Sequence, residues 1–155
     1  MRFAQKLSDI DFACGATHYQ QEYPDHPNTR DHMVLYAALA NKVSVPFVVD
    51  TGAPWSILRP EYLPSLENHI DLVEQLRMTI RGITYDGWLC KTTVTLNPDE
   101  ECLTEGMTGL ELDLTVFVPD DRNYLEPNFL GQQTFLQYIR YAVDPQENVF
   151  YFGKD

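Results

Sequence analysis

Basic side chains are scarce in this sequence. Eleven Lys and Arg stand against twenty-three Asp and Glu, a formal net charge of −12 at pH 7. A domain of that sign repels phosphate backbones and anionic lipid, so nucleic-acid binding and membrane association are disfavoured. Long apolar runs are missing as well. None approaches the roughly 20 residues of a membrane-spanning helix, and the opening MRFAQKLSDIDF lacks the apolar segment of a secretory signal. Cytoplasmic residence is therefore the expectation. Cysteine is sparse: Cys14, Cys90 and Cys102 are odd in number, irregularly spaced and contain no Cys-x-x-Cys. The pattern argues against a disulfide framework and a zinc knuckle, and for free thiols in a reducing compartment. There is also no Gly-x-Ser-x-Gly elbow, no His close to Ser56 in sequence and no signature around the cysteines. Serine and cysteine hydrolases thus find little support.

What is present is a chain of 155 residues with plentiful aromatics, enough for one domain with a real core. Residues 1–32 read as an N-terminal arm, since HYQQEYPDHPNTRDH is polar and carries two prolines. His18, His26 and His32 gather loosely there without a recurring ligand spacing, so a solvated loop is expected rather than a metal site. Residues 33–155 form the expected domain. MVLYAALANKVSVPFVVD predicts two strands joined at Ala40-Asn41-Lys42. Val43, Val45, Phe47 and Val49 share one face by alternation, and Pro46 marks an edge or a bulge.

Leu63, Leu66, Ile70 and Val73 then predict a short helical face, with Pro64 breaking its start. LRMTIRGITYDGWLCKTTVTL predicts a long hairpin bending at Asp86-Gly87. An acidic loop, NPDEECLTEGMTG, leads to an alternating strand, LELDLTVFVP. Phe129-Leu130-Gly131 opens a short helix through Gln137, and a last hairpin turns at DPQEN. The sum is a mainly β domain with one or two short helices.

The stretch FVVDTGAPWSIL, Phe47 to Leu58, raises a chemical question. Asp50 leaves an apolar strand, and an unpaired carboxylate is costly to bury. Either it faces water, as a turn-forming Asp often does, or the fold holds it for chemistry. Gly52 permits a tight turn and a close backbone approach. Ala53 is small enough to pack beneath a neighbour, and the Thr51 hydroxyl can both donate and accept. One carboxylate alone is a modest catalyst. Two at about 3 Å cannot both ionise, so they share a proton. One then serves as general base on a water and the other as general acid on a carbonyl oxygen.

The segment VPFVVDTGAPWSIL resembles the active-site segment of retropepsin-like aspartic proteases. These are single-domain relatives of pepsin found in retroviruses and, in variant form, in cellular proteins. Phe129-Leu130-Gly131 followed by QQTFLQY is similar to that family's late apolar-apolar-Gly element, and IRGITYDGWLC sits where the family has a flap hairpin. The resemblance spans roughly residues 33 to 153. It implies a retropepsin-like closed β-barrel or sandwich with a flap, and Asp50 as the catalytic carboxylate. Thr51, Gly52 and Ala53 would support its loop, and Leu130 and Gly131 would pack against it. Gly82, Ile83, Thr84, Tyr85 and Gly87 would form the flap over substrate. No metal or organic cofactor is implied.

The flap departs from the retroviral pattern: only Gly82 and Gly87 bracket Ile-Thr-Tyr-Asp, and Trp88 is bulky. It is either stiffer or built differently, and Tyr85 either lies over the cleft or is an ordinary strand residue. One Asp-Thr-Gly and no Asp-Ser-Gly is present. A dyad would therefore take its second carboxylate from a second copy, in an isologous homodimer. The activity implied is endopeptidase action on a peptide or protein substrate. The alternative is a catalytically weak or inactive module for dimerisation or peptide binding.

Overall fold

The computed structural model describes residues 10–26, 32–102 and 105–154. Ten strands follow in order. They are β1 (Gly15–His18), β2 (Val34–Leu39), β3 (Ser44–Val49), β4 (Ser56–Ile57), β5 (Asp71–Ile80), β6 (Ile83–Leu96), β7 (Leu110–Pro119), β8 (Phe129–Leu130), β9 (Arg140–Asp144) and β10 (Val149–Gly153). Seven of them form one sheet in the order β2-β3-β8-β4-β7-β6-β5. A further pairing of β2 with β6, Ala38 opposite Thr95 and Leu39 opposite Val94, closes six of these strands into a barrel. The outer half of the β5–β6 hairpin is left projecting. This is the fold class that the resemblance implied: mainly β, a closed barrel and a flap hairpin.

Alternation along the strands fills the barrel. Leu112, Leu114, Val116 and Val118 of β7 face one core with Leu35, Phe47, Val49, Val94 and Leu130, while Phe117 faces the other side with Val34, Val48, Ile57 and Phe129. The second sheet, in the order β1-β10-β9, lies against it. Phe150 and Phe152 of β10 enter the barrel core, whereas Val149 and Tyr151 pack the opposite face with Ala16 and Cys102. Both faces of β10 are thus covered. Part of the stretch read as an arm supplies β1 to this sheet and a buried Tyr23 to the core. His32 precedes β2, and residues 27–31 lie outside the described set.

Several local expectations are corrected. The hairpin turns at Arg81-Gly82, not at Asp86-Gly87. Ile80 is paired with Ile83, and the two turn residues have φ of 49° and 84°. A two-residue hairpin turn of this hand needs φ > 0 at both central positions, which Gly82 supplies freely. Asp86 and Gly87 instead sit inside β6, and Asp86 accepts a cross-strand bond from Arg77 at 2.8 Å. A Cβ on Gly87 would stand 2.4 Å from the Val118 carbonyl oxygen, so that glycine serves close packing.

The helical face over Leu63–Val73 is absent. Two 3₁₀ turns, Pro60–Tyr62 and Pro64–Leu66, bury Leu66, and β5 has begun by Asp71, leaving Val73 exposed. Pro60 and Pro64 each begin a new turn, which prevents a continuous helix. After Gly131 comes a turn and then a single 3₁₀ turn, Leu136–Tyr138, in place of a helix. Val43 lies outside β3 and is exposed. Pro46 lies in a strand with neighbours on both sides, yet β8 pairs only with Val48 and Val49. The Val48 N–H points to the Asn128 carbonyl, away from β2. Pro46, two residues earlier, directs its ring nitrogen the same way and takes nothing from the β2 ladder.

The shared core makes the two sheets one cooperative unit. Phe150→Ala should destabilise the whole chain by about 3–5 kcal/mol, with a single urea transition at unchanged slope. Two separate transitions would contradict this packing.

Candidate active site

The loop between β3 and β4 is shaped by the strand threaded through it. β8 runs parallel to β3, with Val48 opposite Phe129 and Val49 opposite Leu130, and antiparallel to β4 at Ile57. The chain leaving β3 must therefore cross the end of β8 to reach β4. Backbone bonds hold the crossing. Asp50 N–H donates to the Leu130 carbonyl at 3.0 Å, Gln132 N–H to Ala53 O at 2.7 Å and Gln133 N–H to Pro54 O at 3.0 Å. Ser56, fully buried, accepts from Gly131 N–H at 3.0 Å and from the Thr134 hydroxyl at 2.8 Å. Gly131 is required here, because a Cβ would fall 2.3 Å from the Trp55 carbonyl oxygen.

This crossing places Asp50, half-buried, at the end of an apolar strand. Gly52 N–H donates to Asp50 Oδ1 at 2.9 Å, and Ala53 N–H to the Asp50 carbonyl at 3.2 Å. The resulting tight turn fixes the carboxylate, while Thr51 and Gly52 are exposed. Asp50 borders a cavity of about 220 Å³ with Trp55, Ile57, Met78, Ile80 and Phe129 among its walls. Among the described residues no other carboxylate lines it. A wider groove of about 700 Å³, bordered by His69, Lys91, Asp113 and Lys154, lies elsewhere and does not include Asp50.

The hairpin roofs the cavity with the end of β5, Met78 to Ile80, and with Arg81 of the turn. The β6 residues named from sequence sit otherwise. Ile83 is exposed, Thr84 bonds across the hairpin to Thr79, and the Tyr85 ring meets Tyr124 edge-on at 5.2 Å. Gly82 is at the turn and Gly87 at the hairpin base. Leu130 and Gly131 are buried beneath the Asp50 loop. The sequence reading missed Trp55, Ile57, Met78, Ile80, Arg81 and Phe129. The alternation of Met78 and Ile80 is the signal for them, and a bend at Asp86-Gly87 in place of Arg81-Gly82 shifts the tip away from β5.

The hairpin tip is tied to the body. Arg81 Nη1 meets Glu126 Oε2 at 2.6 Å, and its guanidinium lies over the Phe129 ring at 5.3 Å. Glu126 is held in turn by Arg59, whose side chain is 7% exposed. Arg59 forks onto Asp25 at 2.7 and 3.0 Å. It also donates to the carbonyls of Glu126 at 2.7 Å and Leu125 at 2.6 Å. Such a planar fork suits a bidentate partner. The Arg59 hydrogen bonds hold the Asp25 carboxyl below the usual carboxylate range.

No family model matches the sequence, and no curated protein does. Among solved structures, the chain is similar to a retropepsin-like aspartic protease from Rickettsia conorii. Identity is 16%, 90% of this chain and 91% of that chain are covered, and the TM-score is 0.47. It is also similar to EIAV protease complexed with the inhibitor HBY-793, with 18% identity, 63% and 79% covered, and a TM-score of 0.35.

A depressed folded-state value means that Asp25 stabilises the fold above its unfolded pKa and loses that contribution as pH falls through the folded one. Wild type should therefore exceed Asp25→Asn in Tm by a constant margin near neutrality, and the margin should shrink as pH drops into the carboxylate range. A margin that grows on acidification would contradict the pairing.

Proposed function

We propose that the chain is an aspartic endopeptidase acting as an isologous homodimer on an extended peptide. The observation that carries this reading is a single carboxylate, Asp50, held by the backbone of a crossing strand and bordering a mostly apolar cavity beneath a hairpin. Hydrolysis by this chemistry needs two acids, and the cavity offers one. The exposed Thr51-Gly52 turn is the side from which a second copy would bring its own Asp50 across a two-fold axis.

In the pair, one carboxylate is ionised and one protonated, because two like charges at about 3 Å cannot both persist. The ionised group takes a proton from water as its oxygen attacks the scissile carbonyl carbon. The protonated group gives its proton to the carbonyl oxygen, producing a neutral tetrahedral diol. Collapse breaks the C–N bond. The proton taken from water passes to the leaving nitrogen, a hydroxyl proton of the diol returns to the other carboxylate, and the pair ends with one proton, as it began. No acyl-enzyme, metal or organic cofactor takes part. The substrate would lie as a strand between hairpin and floor, bonded through its main chain.

The cavity, at about 220 Å³, is smaller than the roughly 300–1,000 Å³ of usual ligand sites. In this reading, lifting the hairpin tip, which breaks the Arg81–Glu126 pair, would widen it for a peptide. That closed tip favours the second reading, a module that dimerises or binds peptide with little turnover. Free Cys14, Cys90 and Cys102 fit a reducing compartment such as the cytoplasm, and a net charge of −12 disfavours nucleic-acid and anionic-membrane partners. Among the described residues no helix is long and apolar enough to cross a membrane.

Purified protein should cleave denatured casein, most rapidly at acidic pH, where one proton per pair is retained and the repulsion between acidic subunits weakens. Pepstatin should block it, and Asp50→Asn should reduce it by about a thousandfold or more with the fold intact. Cleavage that survives Asp50→Asn would refute the protease reading. Peptide binding without cleavage by wild type would establish the second.

A further inference from the structure

Away from the Asp50 cavity, the end of β1 meets the acidic loop that follows β6. His18 Nδ1 lies 2.9 Å from Asp99 Oδ2 and 3.4 Å from Cys102 Sγ. The three donor atoms all fall within 4.8 Å of one another. Glu101 Oε2 is 3.7 Å from the same ring nitrogen. We propose that His18, Asp99 and Cys102 form a structural site for a divalent transition-metal ion of the Zn²⁺ type, with Glu101 or water at the fourth position.

The spacing fits that class of ion. With metal–nitrogen and metal–oxygen bonds near 2.05 Å and a metal–sulfur bond near 2.3 Å, a tetrahedron has N···S edges of about 3.5 Å and N···O edges of about 3.3 Å. The observed 3.4 and 2.9 Å need adjustments of a few tenths of an ångström. The donor set is selective. A thiolate with an imidazole suits Zn²⁺ or Co²⁺, whereas Mg²⁺ and Ca²⁺ prefer all-oxygen cages. Burial gives the site a dry floor and an open approach: Cys102 is fully buried, while the His18 and Asp99 side chains are about one-third exposed.

The site is braced before any ion arrives. Asp99 Oδ1 accepts from Cys102 N–H at 2.8 Å, and Oδ2 from His18 N–H at 2.6 Å. In the metal-free protein, burial and the neighbouring Asp99 and Glu101 carboxylates push the Cys102 thiol up to about 12. Metal binding must then release that proton. The ion would clamp the loop carrying Asp99 and Cys102 onto β1 and, through β1, onto β10. None of the ligands lines the Asp50 cavity, so the proposal stands or falls independently of the protease reading.

The test is a Co²⁺ titration of the full chain, stripped by chelator and kept reduced. One equivalent should produce a saturable thiolate-to-cobalt band in the near ultraviolet with tetrahedral-type visible absorption, and one equivalent of Zn²⁺ should bleach both. Cys102→Ser should remove the charge-transfer band, and His18→Gln should weaken binding about tenfold or more. Cys14→Ser and Cys90→Ser should leave the spectrum unchanged. Zn²⁺ should raise the Tm of wild type but not of Cys102→Ser. No saturable band in wild type, a result independent of how any variant folds, would overturn the proposal, as would a band that survives Cys102→Ser.

Discussion

The position of Asp50 depends on one steric fact: nothing larger than hydrogen fits at residue 131. β8 must thread between β3 and β4, and the 50–55 loop must close over its end. Gly131 allows the Trp55 carbonyl to approach where a Cβ would collide at 2.3 Å. With that approach made, the Asp50, Gln132 and Gln133 amides and the Ser56 hydroxyl all find partners across the crossing. Buried backbone groups without such partners are costly, so the crossing is satisfied as a unit or not at all. The carboxylate inherits its rigidity from this frame, and Gly52 N–H supplies the last fixed contact.

The hairpin is governed by a different balance. Of the ten β5 residues only Ile80 is buried, so the projecting part contributes little apolar area to the core. Its closed position rests on Ile80 in the core with Leu76 and Met78 packed beside it, Arg81 on Glu126 and Phe129, Tyr85 on Tyr124, and the Asp120 N–H donating to the Asp86 carbonyl. A half-exposed ion pair is worth on the order of 1 kcal/mol or less. With little apolar area buried, the roof is less firmly held than the barrel, while its anchor is firm because Arg59 is buried with its fork and carbonyl bonds made. Function would need that contrast, a fixed floor under a movable cover.

Legibility from sequence followed the range of the physics involved. Strand alternation and turn residues are local signals, so β2, β3 and β7 are legible, as is the β9–β10 hairpin from its turn at DPQEN. The Asp-Thr-Gly turn and Gly131 are legible through resemblance, and the structure brings them together in one crossing, with Gly131 against the Trp55 carbonyl. The bend was misplaced because Asp-Gly is a strong hairpin signal, while Arg81 carries an uncommon positive φ that no propensity announces. Gly87 resembles a turn residue in sequence, but its lack of a side chain answers a contact with β7, a strand some thirty residues away. The histidines show the same limit. His18 was read within its own polar stretch, yet its neighbours Asp99 and Cys102 lie about eighty residues later, beyond any local spacing rule.

The proposed shared pair needs a two-fold axis beside Asp50. At −12 per subunit, two copies repel at neutral pH. That repulsion is screened beyond about 8 Å in physiological salt, and burial of a sizeable apolar interface would have to exceed what remains. The decisive measurement is subunit mixing. Wild type and Asp50→Asn are combined at fixed total concentration, where sedimentation shows complete dimer, and equilibrated before assay. If each active centre takes one Asp50 from each chain, activity falls as the square of the wild-type fraction, to about one quarter at an equal mixture. A linear fall, to about one half, would mean that one chain carries out the reaction alone and would contradict the shared pair.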